Sequence, residues 1–244
     1  MTSFQRLVAV AAMAGSLAGV LLALVHQVTT VPLILRAEVF EEAAASTQAG
    51  TSAGSGHEHD HDATVAWQPH DGFERIGVTV LTDVATGIGF ALLLVALSEL
   101  CGQHLNWRRG LYWGLGGFAA VALAPALGLP PELPGTQAAA LLDRQVWWVA
   151  TAALTAVGLA LVFLVRKPLP VLAGVALIAL PHLYGVPQPV VHGSLAPEEL
   201  ARKFALAAVL SSLLFWIVLG LLAGFFQQRL AGAPSVQEGA TVAR

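Results

Sequence analysis

The chain has 244 residues, 56% of them hydrophobic and 11% charged, with a formal net charge of −3. Soluble domains carry about 25% charged residues, so this composition excludes a soluble globule, and the absence of a basic excess excludes a nucleic-acid partner. A single cysteine, Cys101, excludes a disulfide framework and a cysteine-rich metal site.

A helix needs about 20 apolar residues to cross a bilayer core. Six segments are candidates: residues 7–27, 76–100, 111–129, 146–165, 169–184 and 204–226. The first carries a lone Arg6 and no clean small-x-small cleavage site, so it reads as a retained span rather than a signal peptide. The expected fold is all-α, a polytopic transmembrane helix bundle of about six spans, or five if the short, proline-rich segment 169–184 is re-entrant. In domain terms the chain divides into a first transmembrane helix (1–27), a flexible outer loop (28–75), a membrane bundle of five apolar segments (76–226) and a polar C-terminal tail (227–244).

Orientation follows from the short links. Arg108 and Arg109 lie between the second and third segments, and Arg166 and Lys167 between the fourth and fifth. Basic residues in short loops face the cytoplasm, so both termini are expected inside and the long loop outside a bacterial-type plasma membrane. Acids gather on the outer side, Glu38, Glu58, Asp60, Asp62, Glu132 and Glu198 among them, and attract cations there. Trp147 and Trp148 are expected in the outer interfacial belt.

The long loop contains AAASTQAGTSAGSG (43–56), a small-residue tract that reads as a flexible linker. It is followed by HEHDHD (57–62), in which His57, His59 and His61 alternate with acids. Neutral imidazole and carboxylate suit divalent transition metals, and a flexible tract suits adaptable capture. A protonated imidazole cannot ligate, so capture weakens below about pH 6.5. The literal H-E-x-x-H at His57, Glu58 and His61 lacks the helix that a zinc protease requires, and the chain is not expected to be an enzyme.

Depth supplies the second signal. Arg6 and His26 are 20 residues apart, about 30 Å of helix, which puts His26 at the outer boundary. Asp83 lies about 10 Å inside the second segment, where a carboxylate costs about 3 kcal/mol on insertion scales. His182 falls in the outer third, after Pro181, which is expected to disrupt the helix. His70 and His192 share that side, as does Glu132 in LPPELPG (129–135). Pro197, Glu198 and Glu199 suit the first turn of the last helix. The pairs Gly15/Gly19, Gly110/Gly114 and Gly220/Gly224 have a spacing that lets helices approach closely.

At PHLYGVPQPVVH (181–192), LPPELPG (129–135) and RQVWW (144–148), the sequence resembles the CbtA family, a predicted cobalt transporter subunit, over most of its length. The resemblance implies uptake of cobalt tied to cobalamin supply, and a small single-span partner, CbtB, with a histidine-bearing tail. The family is described with five spans, against six apolar segments here. The residues alone specify only a divalent transition metal, since imidazole and carboxylate sites prefer Cu²⁺, Ni²⁺ or Zn²⁺ to Co²⁺ on the general affinity order.

The expected function is a membrane subunit for uptake of a divalent transition metal, cobalt by resemblance, with no tightly bound cofactor. His57, His59 and His61 would gather the ion, His70, His192 and Glu132 would form a vestibule, and His182, Asp83 and His26 would relay it at the membrane mouth. Two alternatives are a non-conducting outer-face metal sensor or accessory subunit, and a haem protein with His26 and His182 as axial ligands.

Overall fold

Apolar runs and their caps set the helices. In the computed structural model, which describes residues 2–52, 72–165, 167–190 and 193–231, seven helices form. The first, α1 (Ser3–Val28), opens on a reciprocal cap. Thr2 Oγ1 accepts from the Gln5 amide at 3.2 Å, while Gln5 Oε1 accepts from the Thr2 amide at 3.0 Å. After α2 (Val31–Ser52) and α3 (Phe73–Leu100) comes α4 (Trp107–Gly128), capped by Asn106 Oδ1 on the Arg109 amide at 2.9 Å. Then follow α5 (Leu141–Val165), α6 (Pro168–Tyr184) and α7 (Glu198–Ala231). Pro197 precedes α7 and Glu198 and Glu199 occupy its first turn, as expected from the sequence.

Five of these helices, α1, α3, α4, α5 and α7, are long and apolar enough to cross a membrane. The sixth apolar segment is the 17-residue α6, about 25 Å long against a hydrocarbon core of about 30 Å. It is one continuous helix rather than a broken one, and it runs antiparallel to α5. Pro181 does not end it. The helix continues to Tyr184, because a proline in the last turn deprives only the Leu177 carbonyl of its usual amide. It stops at Gly185, whose φ of 107° suits glycine.

The bundle is assembled through glycines. α1 packs against α3 and α7, and α4 packs against α7. A Cβ added to Gly15 or Gly19 would strike the α3 backbone at Ile88 or Asp83, and one on Gly110 or Gly114 would strike the α7 backbone at Gly220 or Trp216. Gly158 of α5 meets Gly174 of α6 in the same way. All three G-x-x-x-G pairs read from the sequence therefore lie at helix crossings. Around the α1–α3–α4–α7 contacts sits one core cluster, including Val10, Val95, Phe118, Phe215, Trp216 and Leu219.

Two further features depart from the sequence reading. Residues 31–52, expected within a flexible loop, form α2 instead. Alanine and glutamate are strong helix formers, and no glycine or proline interrupts residues 33–48. Ala37 packs with Leu133 and Ala196 in a second small core, and Glu38 receives a two-pronged contact from Arg75 of α3, at 2.6 and 3.3 Å. α4 is also not uniform. Residues Phe118–Leu123 widen into a π-helical turn just before Pro125, whose ring and missing amide disturb the preceding turn of α-helix.

Because successive long helices alternate in direction, the bundle has two distinct ends. His26, Asp83, Glu132, Arg144, His182 and Glu198 lie toward one, here the His26 end. Arg6, Glu99, His104, Arg108, Lys167 and Gln227 lie toward the other, the Arg6 end.

Candidate functional site

His26 and Asp83 meet between α1 and α3, with Nδ1 3.0 Å from Oδ2. Their side chains are 26% and 13% exposed, so the contact is largely screened from solvent. Helix direction explains it. The backbone of Asp83 lies level with Gly19, about two turns below His26. Side chains tilt toward the N-terminus of their own helix, so on antiparallel helices these two lean toward each other and close the gap. An ionised carboxylate only accepts hydrogen bonds. With Asp83 ionised and the imidazole neutral, Nδ1–H donates to Asp83 and the Nε2 lone pair is left available. This is the arrangement in which a carboxylate orients an imidazole for a metal.

Hydroxyls surround the pair. Thr29 Oγ1 donates to the Val25 carbonyl at 2.7 Å and lies 3.3 Å from Ser211 Oγ of α7. Thr30 Oγ1 donates to the His26 carbonyl at 3.4 Å. The end of α1 is thus tied to α7 at Ser211, well inside that helix, by a polar contact close to His26.

A second polar centre forms where three separated segments converge. From LPPELPG, Glu132 Oε2 pairs with Arg144 Nη2 of RQVWW at 3.1 Å. Three residues on, Trp147 donates from Nε1 to the Pro181 carbonyl at 3.4 Å and stacks on His182, with ring centroids 5.8 Å apart. Trp147 is only 6% exposed. It is a buried post between α4, α5 and α6, its ring filling the space left by Gly128. The 135–137 and 193–195 segments are joined by backbone contacts, the Gln137 amide donating to the Gly193 carbonyl at 2.9 Å and Thr136 bridging to Ser194.

Glu132 borders two cavities. The larger, about 430 Å³, lies between α4, α5 and α7, and its polar lining is Glu132, Arg144, Gln145 and Ser212. The π-turn contributes Val121 and Ala122 to its wall. The smaller, about 260 Å³, lies toward Thr136, Gln137 and Gln188.

Of the residues expected to handle metal, the structure therefore brings His26 to Asp83, gives Glu132 to Arg144, and stacks His182 on Trp147. Among the described residues, His182 Nδ1 is buried without a hydrogen-bond partner. The two histidines considered as haem ligands sit on different helix pairs. His57, His59, His61, His70 and His192 lie outside the described residues. Among the described residues, no three His, Cys, Asp or Glu side chains are grouped to hold a metal. Sequence reasoning passed over Arg144 as a site residue. Its signal was present, a lone basic residue at the outer start of an apolar segment, 12 positions after a proline-fixed glutamate.

Compared with known proteins, residues 4–228 match the family described as "Probable cobalt transporter subunit (CbtA)". No curated protein and no solved structure matches the chain.

Proposed function

The chain belongs to the CbtA family of probable cobalt transporter subunits, and from that premise we propose that it takes up divalent cobalt through imidazole and carboxylate groups at the His26 end. The arginines and lysine in the short turns at the opposite end support an orientation with the His26 end outward. His57, His59 and His61 gather the ion near the membrane. We assign His70, His192 and Glu132 to its approach and His182 to its relay at the membrane mouth. His26 receives it through Nε2, with Asp83 as the orienting carboxylate rather than a direct ligand. Ni²⁺ and Zn²⁺ satisfy the same donors. A subunit implies a partner, which we assign to the small single-span CbtB.

The observation that carries this reading is the 3.0 Å contact between His26 Nδ1 and Asp83 Oδ2. A carboxylate in a transmembrane helix is costly unless it is used, and here it fixes one tautomer of an imidazole at the bundle mouth. Removing such an orienting group typically lowers metal affinity 10–100-fold. Asp83→Asn is therefore expected to raise the Co²⁺ concentration for half-maximal uptake by about that factor, and His26→Ala to do so at least as strongly. The measurement is radiolabelled Co²⁺ uptake into cells or vesicles carrying the chain and its partner. Wild-type uptake no greater than in empty vesicles would sink the proposal, and undiminished uptake by cells lacking the chain would assign it an accessory role.

A further inference from the structure

The Arg6 end carries a second pairing of carboxylate and imidazole on the same helix that holds Asp83. Glu99, sixteen residues along α3, or about 24 Å, accepts a hydrogen bond from Gln227 Nε2 of α7 and lies 3.8 Å from His104 Nδ1. Gln227 is 5% exposed, and its Oε1 is buried with no hydrogen-bond partner among the described residues. A buried amide oxygen without a donor is destabilising, and it retains the lone pairs that a cation takes.

From these three side chains we infer a second divalent-cation site, formed by the Glu99 carboxylate and the His104 imidazole, with the Gln227 amide turning its oxygen to the ion in place of the Nε2 that otherwise meets Glu99. Two donors each about 2.1 Å from one ion lie at most about 4.2 Å apart, so the 3.8 Å between Glu99 and His104 falls within reach of a shared ion. His104 is 82% exposed, which leaves its ring free to close on an ion or swing away. The Arg109 guanidinium donates to the His104 carbonyl at 3.2 Å, fixing the backbone of the turn while placing a positive charge nearby. That charge weakens cation binding. Weak binding suits release, because conduction needs sites an ion enters readily and leaves readily. The site's role as a release point rests on the uptake proposed above; its ability to bind metal does not.

The test is a titration of the purified full-length protein in detergent with CoCl2, following the visible absorption of bound Co²⁺, alongside uptake into vesicles. Glu99→Gln retains a partner for Gln227, and His104→Ala alters an exposed side chain. Each variant is expected to lose one weak equivalent of Co²⁺ while retaining the tighter ones, and His26→Ala is expected to keep the weak equivalent. In vesicles, both Arg6-end variants are expected to slow uptake at saturating metal by roughly tenfold with little change in the half-saturating concentration. If both variants bind the same number of equivalents with the same affinities as wild type, the site is overturned. If the weak equivalent depends on Glu99 and His104 but wild type shows no uptake, the site stands and the transport reading falls.

Discussion

Glu132 illustrates how a single contact changes the chemistry of a residue. As a carboxylate on a proline-stiffened loop it reads from sequence as a cation ligand, yet Arg144 already occupies it at 3.1 Å. An arriving metal must displace a tethered guanidinium, which makes Arg144 a competitor built into the approach. Both side chains are about a third exposed or less, at 33% and 27%, so solvent screening limits the pair to about 1 kcal/mol. A double-mutant cycle of Arg144→Gln and Glu132→Gln, read by thermal unfolding in detergent, is expected to return a coupling of that size. Arg144→Gln alone is expected to tighten Co²⁺ binding, and the double variant to lose the gain. A tightening that survives in the double variant would show that Glu132 is not the group being freed. The same contrast explains the limits of sequence reading here. The depth of Asp83 and the boundary position of His26 follow from counting residues. That they touch does not, since the contact depends on the stagger of two antiparallel helices and the tilt of each side chain.

At the scale of the helices, close approach is set by glycines, and not every glycine serves that purpose. Gly110 and Gly220 meet backbone to backbone, while a Cβ on Gly89 or Gly116 would have nothing within 4 Å. Gly110→Ala or Gly220→Ala is therefore expected to force α4 and α7 apart and cost about 1–3 kcal/mol. Gly89→Ala and Gly116→Ala are expected to be neutral or to stabilise by up to about 1 kcal/mol through helix propensity. Detergent-denaturation midpoints of the four variants would check this, and equal shifts in both groups would refute the crossing geometry. The apolar segments were legible because the bilayer demands length and hydropathy, and the spacing of the glycine pairs was legible too. Two elements were not. α2 has too few apolar residues to announce itself and gains its place from Ala37 and Glu38 meeting partners distant in sequence. The π-turn at Phe118–Leu123 leaves no mark in hydropathy, and only Pro125 hints at it.

Over the whole molecule, scarce charge is sorted between two ends joined by apolar helices, with one carboxylate–imidazole contact in the first half of α3 and another at its C-terminal end. Under the proposed uptake, no nucleotide-binding motif in the chain supplies energy, so the simplest drive is the membrane potential acting on the ion itself. Two positive charges moving inward through 100 mV gain about 4.6 kcal/mol, enough for accumulation on the order of 1,000-fold at equilibrium. Vesicles containing the chain and its partner, clamped by potassium gradients with valinomycin, are expected to accumulate Co²⁺ more as the interior becomes more negative. The logarithm of the accumulation ratio should rise with potential at a slope set by two charges. Collapsing the potential should leave equal concentrations on both sides. Accumulation that ignores the potential and follows an imposed proton gradient would instead place the drive in proton exchange, and would direct attention to His26 and Asp83 as its first carriers.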